Sequence, residues 1–345
     1  MMGKLICFLI VMLGICSRMA QGSYADFKIV KCDSLQSVNS IALDSIHPRY
    51  FFKTGDSIII ITNYDGRKNL ALVMDLKSRK IVGSFMPYGR KKNQLLSTFS
   101  AGFVNNHLWG YDLIGNKIVT YDLNVKPHTA DSSRYHTYPL DKSYYWVVMG
   151  DTSTVYASGN DTQYAKIDKF VPSTQGEIVE IGNFNDIPTR LKEAPIEWRL
   201  SQQAFLFIRP DQRYAALACR FTDKIEFFDL HSGTSKVLRG PDGYEAQYKM
   251  SVGESVNLIY TNMTKRAYLS GYASSKYLYL IYLGDFHYLS REEQHRKIMV
   301  FDWNGNFKKC YLVPGFPEEL IVSEEEHKMY MYDKITNSLE IYDLH

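Results

Sequence analysis

The chain has 345 residues, of which 45% are hydrophobic, 14% aromatic and 22% charged, with 40 basic and 37 acidic side chains and a net charge of +3. Such a near-neutral balance lacks the clustered basic footprint of a nucleic-acid binder. The abundance of Tyr (26 residues), the many β-branched positions and the scarcity of helix-period patterns exclude an all-α protein and point to an all-β one.

At the N-terminus, Lys4 precedes an apolar run from Leu5 to Ile15. That run is too short for a membrane helix, which needs about 20 apolar residues, and it has the form of a secretory leader. Ala20-Gln21-Gly22 offers small side chains at the positions a signal peptidase must fit, so residues 1–22 are expected to be a signal peptide cleaved before Ser23. The alternative is lipidation at Cys16 within Leu13-Gly14-Ile15-Cys16, although Ile15 stands where such a box wants a small residue. Either way export to the periplasm or cell surface is expected, with no membrane span and no nucleic-acid partner. Cys32, Cys219 and Cys310 remain after residue 22. Cys219 and Cys310 lie in apolar strand-like stretches and read as buried free thiols, with a disulfide involving Cys32 left as the alternative.

From residue 23 onward a repeat organises the chain. Six alternating strands end in or near Asp: ALVMDL (Asp75), IVTYDL (Asp122), YAKIDKF (Asp168), IEFFDL (Asp229), IMVFDW (Asp302) and LEIYDL (Asp343). An Asp suits that position because its carboxylate accepts from backbone N–H groups two residues on. Each is flanked by further strands and turn signals, among them Gly115-Asn116 and Asn304-Gly305, the latter expected as a type I′ turn. Strand, turn and strand at this period form the signature of propeller blades. A four-stranded blade takes about 40–45 residues, and the excess falls in three insertions: 185–203, 241–266 and the loop after Leu283.

LEIYDL reads as the third strand of its blade, yet only Leu344 and His345 follow Asp343. The missing outer strand would leave a raw edge. DFKIVKC (Asp26–Cys32) is the spare strand expected to fill it. The expected architecture for residues 23–345 is thus one six-bladed β-propeller domain whose last blade is closed by an N-terminal strand.

IMVFDWNGNFKKCYLV followed by SEEEHKMYMYDKITNSLEIYDL resembles the C-terminal blades of TolB-like six-bladed propellers, an exported bacterial family. GDSIIIITNYDGRKNLALVMDLKSRKIVGSF resembles their first blade. The resemblance implies fold and export. Where family members often carry a GxGPGEF-like turn after that blade, this chain reads YGRKKNQLLSTF, which puts any shared role of that turn in doubt.

No catalytic signature of a serine hydrolase elbow, zinc helix or phosphate loop occurs, so no catalytic residue, metal ligand or cofactor is assigned. Propeller active sites draw on several blades, which keeps a polysaccharide hydrolase or lyase as the alternative function. The leading expectation is a non-enzymatic binding or scaffold module for a glycan, peptide or envelope protein; with an anchored Cys16 a purely architectural role gains weight. Candidate binding residues are Tyr145, Trp146, Trp198, Arg199, Tyr272 and His287, chosen as aromatics and polar neighbours near strand ends. For the aromatics, packing between blades is the plainer expectation. Asp285, His287, Glu292, Glu293 and His295 are dense enough to suggest a metal site but match no ligand spacing, so a solvated loop is expected. Arg90-Lys91-Lys92 reads as solubilising charge, with an anionic glycan or lipid phosphate as the alternative. Asp302 to Asn306 has the acidic start of a calcium loop without its distal Glu.

Overall fold

A computed structural model describes residues 23–344 apart from 30, 64, 124–134, 160–164, 173–176, 185–195, 253–255 and 287–294. The expected leader and Cys16 lie outside the described residues.

Three short strands open the chain: β1 (Ser23–Asp26), β2 (Asp33–Ser34) and β3 (Ser37–Ala42). Blade 1 follows as β4 (Pro48–Thr54), β5 (Ser57–Thr62), β6 (Asn69–Asp75) and β7 (Lys80–Pro87), and blade 2 as β8 (Ser100–Val104), β9 (His107–Asp112), β10 (Lys117–Asp122) and β11 (Tyr135–Pro139). Blade 3 comprises β12 (Trp146–Met149), β13 (Val155–Ser158), β14 (Ala165–Phe170) and β15 (Val179–Asn183). After α1 (Ile196–Ser201) comes blade 4, with β16 (Ala204–Ile208), β17 (Tyr214–Cys219), β18 (Lys224–Asp229) and β19 (Ser235–Arg239). A hairpin of β20 (Lys249–Val252) and β21 (Val256–Ile259) precedes blade 5, which is β22 (Lys265–Ala273), β23 (Tyr277–Phe286), β24 (Lys297–Asp302) and β25 (Phe307–Leu312). Blade 6 holds β26 (Pro317–Ser323), β27 (Lys328–Asp333) and β28 (Ser338–Asp343).

Each blade is an antiparallel meander, and the innermost strands β4, β8, β12, β16, β22 and β26 meet one another around a ring. The second strand of a blade is covered on both faces, so it reads as a continuous apolar run instead of an alternating one. In β5, Ile58 and Ile60 pack into the seam with blade 6, whereas Ile59 and Ile61 pack into the seam with blade 2. β23 repeats the device: Tyr279 and Ile281 face blade 6, and Leu278, Leu280 and Tyr282 face blade 4. A period of two residues therefore serves two cores from one strand.

Five of the six repeat aspartates end the third strand of their blade, at Asp75, Asp122, Asp229, Asp302 and Asp343. The turn bond expected of them is present at Asp229, whose Oδ1 accepts from His231 N at 2.9 Å and Ser232 N at 3.0 Å. Asp168 departs from the pattern. It sits inside β14, buried, and accepts a bond from Tyr144 Oη at 2.8 Å. The expected type I′ turn is also corrected, because only Gly305 of the pair has a positive φ, +69°. Gly305 N donates to Asp302 O at 3.0 Å, so a type I turn is followed by a left-handed glycine and a bulge at Val300/Phe301. Asp302 is consumed by this turn, accepting from the N–H groups of Asn304 and Asn306.

The last blade is closed by an N-terminal strand, but the strand is Ser37–Ala42 and not Asp26–Cys32. β3 runs antiparallel to β28 with Leu339 opposite Ile41. Glu340 accepts from Ser37 Oγ at 2.6 Å and Ser40 Oγ at 2.5 Å. An outermost strand needs only one inward apolar residue, here Ile41, so SVNSIA suffices and the more apolar DFKIVKC is used elsewhere. β1 adds to β19 as a fifth, parallel strand of blade 4, and β2 adds in parallel to β25 of blade 5. Between them Phe27 packs edge-on against Phe301 and stacks on Phe307. Cys32 is bonded to Cys310 of β25, which corrects the expectation of a free thiol at Cys310, while Cys219 is free and buried. Residues 23–42 thus form a strap across the outer edges of three consecutive blades.

Candidate functional site

Going round the ring, the chain enters every innermost strand on one face and passes from second to third strand on that same face. The flanking strands put the ends of all three long insertions there too. On this entry face the channel opens as a cavity of ≈ 840 Å³. Its wall is built from the first turns of the innermost strands and the loops that end the second strands, so each blade contributes.

Four arginines line it. Arg49 is the second residue of β4, Arg220 follows β17, Arg266 is the second residue of β22 and Arg296 precedes β24. Arg49 is held by neutral acceptors, Phe99 O at 3.2 Å, Tyr50 Oη at 3.3 Å and Asn63 Oδ1 at 3.4 Å. Tyr50 Oη in turn donates to Phe99 O at 2.7 Å, and burial pushes its pKa up to about 12. Ala267 N donates to Arg220 O at 2.9 Å, and this backbone bond sets Arg220 and Arg266 beside one another. The guanidinium of Arg220 lies over the Phe205 ring at 5.4 Å. Burial lowers the pKa of both Arg220 and Arg266, and at Arg220 the like charge of Arg266 is the second cause. Arg296 lies over Phe316 and donates to Pro317 O.

The acidic side chains of the wall make no ion pair with Arg49, Arg220 or Arg266, although the charge of Glu318 acts on Arg266 and that of Arg49 on Glu319. Asp65 pairs with Arg67, and Glu318 pairs with Lys334 at 2.7 Å. Glu319 accepts from Ser270 Oγ at 2.6 Å, and enclosure pushes its carboxyl up to about 8, only partly offset by Ser270 and the charge of Arg49. At neutral pH it is therefore mainly uncharged. None of Arg49, Arg220 and Arg266 makes an ion pair with a described carboxylate. The floor is aromatic: Trp146 packs at 4.8 Å from Phe205 and 6.3 Å from Tyr50. An array of forked donors over an apolar floor, with no ion pair to Arg49, Arg220 or Arg266 among the described residues, is suited to carboxylate or other oxyanion groups.

Of the described residues among the candidates singled out in the sequence, Trp146 alone lines this cavity. Tyr145 and Arg199 meet at a separate narrow cleft of ≈ 50 Å³ between blades 3 and 4. Trp198 is buried on α1, edge-on to Phe184, and Tyr272 packs into the seams beside blade 6, so both serve the core. His287, Glu292 and Glu293 lie outside the described residues, and among the described residues no group of three metal-ligating side chains gathers. Arg90, Lys91 and Lys92 are exposed in the β7–β8 connection, where Lys91 O and Lys92 O accept from Lys117 Nζ and none of the three lines the cavity. Arg49, Arg220 and Arg266 were missed because none belongs to a charged motif: they stand in PRYFF, ACRF and KRAYL, only the last with a charged neighbour, Lys265. Their signal was a charge at the start of an innermost strand or the end of a second one.

The profile of the TolB-like 6-blade propeller-like family matches residues 31–325, and the chain belongs to that family. Among solved structures it is similar to a member of the duf4221 family from Bacteroides vulgatus, with 10% identity, a TM-score of 0.54 and coverage of 90% of this chain and 97% of that one. It is also similar to a protein from Bacteroides fragilis, with 10% identity, a TM-score of 0.52 and coverage of 93% and 99%. At such identities the likeness is one of fold. No curated protein matches the chain. Among the described residues no helix is long and apolar enough to cross a membrane.

Proposed function

We propose that this protein is an exported binding propeller whose ligand seat is the arginine-lined channel mouth, and that its ligand is anionic, as an acidic glycan, a peptide or the acidic surface of an envelope protein would be. The observation that carries this is the set of Arg49, Arg220 and Arg266 around one ≈ 840 Å³ cavity without a described carboxylate partner. Keeping like charges adjacent and half-buried costs stability, and a bound anion recovers it. Export is supported by the leader-like N-terminus and by the Cys32–Cys310 disulfide, since such bonds persist in oxidising compartments. Periplasm or cell surface, and cleavage before Ser23 or an anchor at Cys16, both fit it. Calorimetric titration with acidic and neutral oligosaccharides and peptides of equal length tests the proposal. Acidic members are expected to bind, more weakly as salt rises; equal binding of neutral ones, or none by any anion, overturns it.

A propeller hydrolase or lyase is the second reading, favoured by one observation: Glu319, with a pKa near 8, shares the mouth with Ser270, Tyr50 and His47. A base so tuned suits proton transfer near neutral pH. Chromatography of acidic polysaccharide after incubation separates the two, because a binder leaves the chain length unchanged.

Glu319 also sets a pH dependence. Its ionisation adds a negative charge among the arginines, so anion affinity is expected to fall as pH rises through about 8, by on the order of tenfold. The same affinity measured from pH 7.5 to 9.5 in Glu319→Gln should be flat.

A further inference from the structure

Beside the arginine pair, the insertion between blades 4 and 5 presents an apolar ridge. Ile259, Tyr260 and Met263 are exposed to 45%, 46% and 56%, and the Tyr260 ring packs at 5.3 Å from Phe221, the neighbour of Arg220. Tyr260 also lies near both Arg220 and Arg266. The ridge is anchored at both ends. Thr264 Oγ1 donates to Gln247 O at 2.6 Å and accepts from Thr261 N at 2.8 Å. At the start of the insertion, Asp223 accepts from the N–H groups of Asp242, Gly243 and Tyr244.

Of the three, only Tyr260 offers a flat face to a sugar ring or a hydrogen bond to its hydroxyls, and Ile259 and Met263 offer neither. They suit the side chains of a polypeptide, and exposed apolar surface next to a charged pocket is the pattern of a protein docking site. Charge complementarity fixes the rest of the partner's chemistry: whatever lies on the ridge continues over two guanidinium groups that lack a described carboxylate. We infer that the ridge and the channel mouth form one docking surface for an acidic segment of a partner protein. One of the segment's apolar side chains packs on Ile259, Tyr260 and Met263, and a neighbouring Asp, Glu or terminal carboxylate enters between Arg220 and Arg266. This inference rests on the anion-binding reading of the mouth and narrows its ligand to polypeptide.

The test is selection of a phage-displayed random dodecapeptide library on the purified protein, followed by fluorescence anisotropy of the best peptide. Enrichment of sequences that pair Asp or Glu with a large apolar residue is expected. Binding of that peptide should fall at least tenfold in Ile259→Ser/Met263→Ser and at least tenfold in Arg220→Ala/Arg266→Ala. Both sets of side chains are exposed or half-buried, and circular dichroism melting checks that the variants fold. No enrichment, enrichment without acidic residues, or full binding to the Ile259→Ser/Met263→Ser protein overturns the docking surface. Binding of acidic oligosaccharides lost only in the arginine variant would then leave the anion-binding mouth standing, whereas failure of every anion removes both.

Discussion

In the double variant Arg220→Ala/Arg266→Ala, affinity for an anionic ligand is expected to drop by at least about 100-fold, while the melting temperature stays level or rises. A charge-assisted hydrogen bond contributes roughly 1.5–3 kcal/mol, so the loss of two guanidinium forks exceeds a factor of 100 unless the ligand re-seats on Arg49. The stability half of the expectation runs against intuition for a half-buried residue. It follows because the two guanidinium groups, set side by side by the Ala267–Arg220 backbone bond, repel one another and have no described counter-ion. Single variants to methionine keep the volume and remove the charge, and each should melt no lower than the parent. Calorimetric titration and differential scanning measured on the same samples check both halves. A melting temperature that falls by more than about 5 °C would mean that the pair is structural, and the mouth would lose its strongest claim to be a ligand seat.

Replacing Cys32 and Cys310 by serine is expected to cost about 2–5 kcal/mol, the range for loss of a native disulfide, which lowers melting by roughly 3–7 °C in a chain of this size. The bond spans 278 residues, so in the unfolded state it excludes a large set of conformations. In the native state it fixes the strap where β2 contributes only Asp33 and Ser34 to blade 5. The variant should keep its ring, because β3 still pairs with β28, and scanning calorimetry with and without reductant reads the difference. Reductant should bring the parent to the variant's melting point. Identical melting of parent and variant in the absence of reductant would show that the strap holds without its bond.

The fold was legible because a propeller repeats its physics. Continuous apolar runs such as SIIIIT and LYLIYL exist only where a strand is buried on both faces, and Asp at the end of third strands marks a turn that must recur with each blade. The closing strand was harder. Outermost strands need so little apolar surface that SVNSIA carries almost no signal, whereas DFKIVKC looks like a strand and lies in the strap instead. The site was least legible, since its residues are single charges from strands far apart in the chain. Arg49 and Arg266 are 217 positions apart in the sequence, and a near-neutral total conceals any cluster that only the ring assembles. Aromatic residues drew attention through their abundance, yet the same abundance fills the interior: Tyr272 packs in the seams beside blade 6, and Trp198 of α1 against Phe184.

The strap also dictates an order of events during synthesis. Residues 37–42 leave the ribosome first among the ring's elements, yet their partner β28 is the last strand made, about 300 residues later. Until then the ring cannot shut, although β1 and β2 can cover the outer edges of blades 4 and 5 as soon as β19 and β25 are made. The nascent protein therefore carries the unpaired β3 until its last strand is made, and such an edge invites pairing with other chains. Moving residues 23–42 behind His345 by circular permutation would make partners neighbours in time, and such a chain should refold faster and from higher concentration than the natural one.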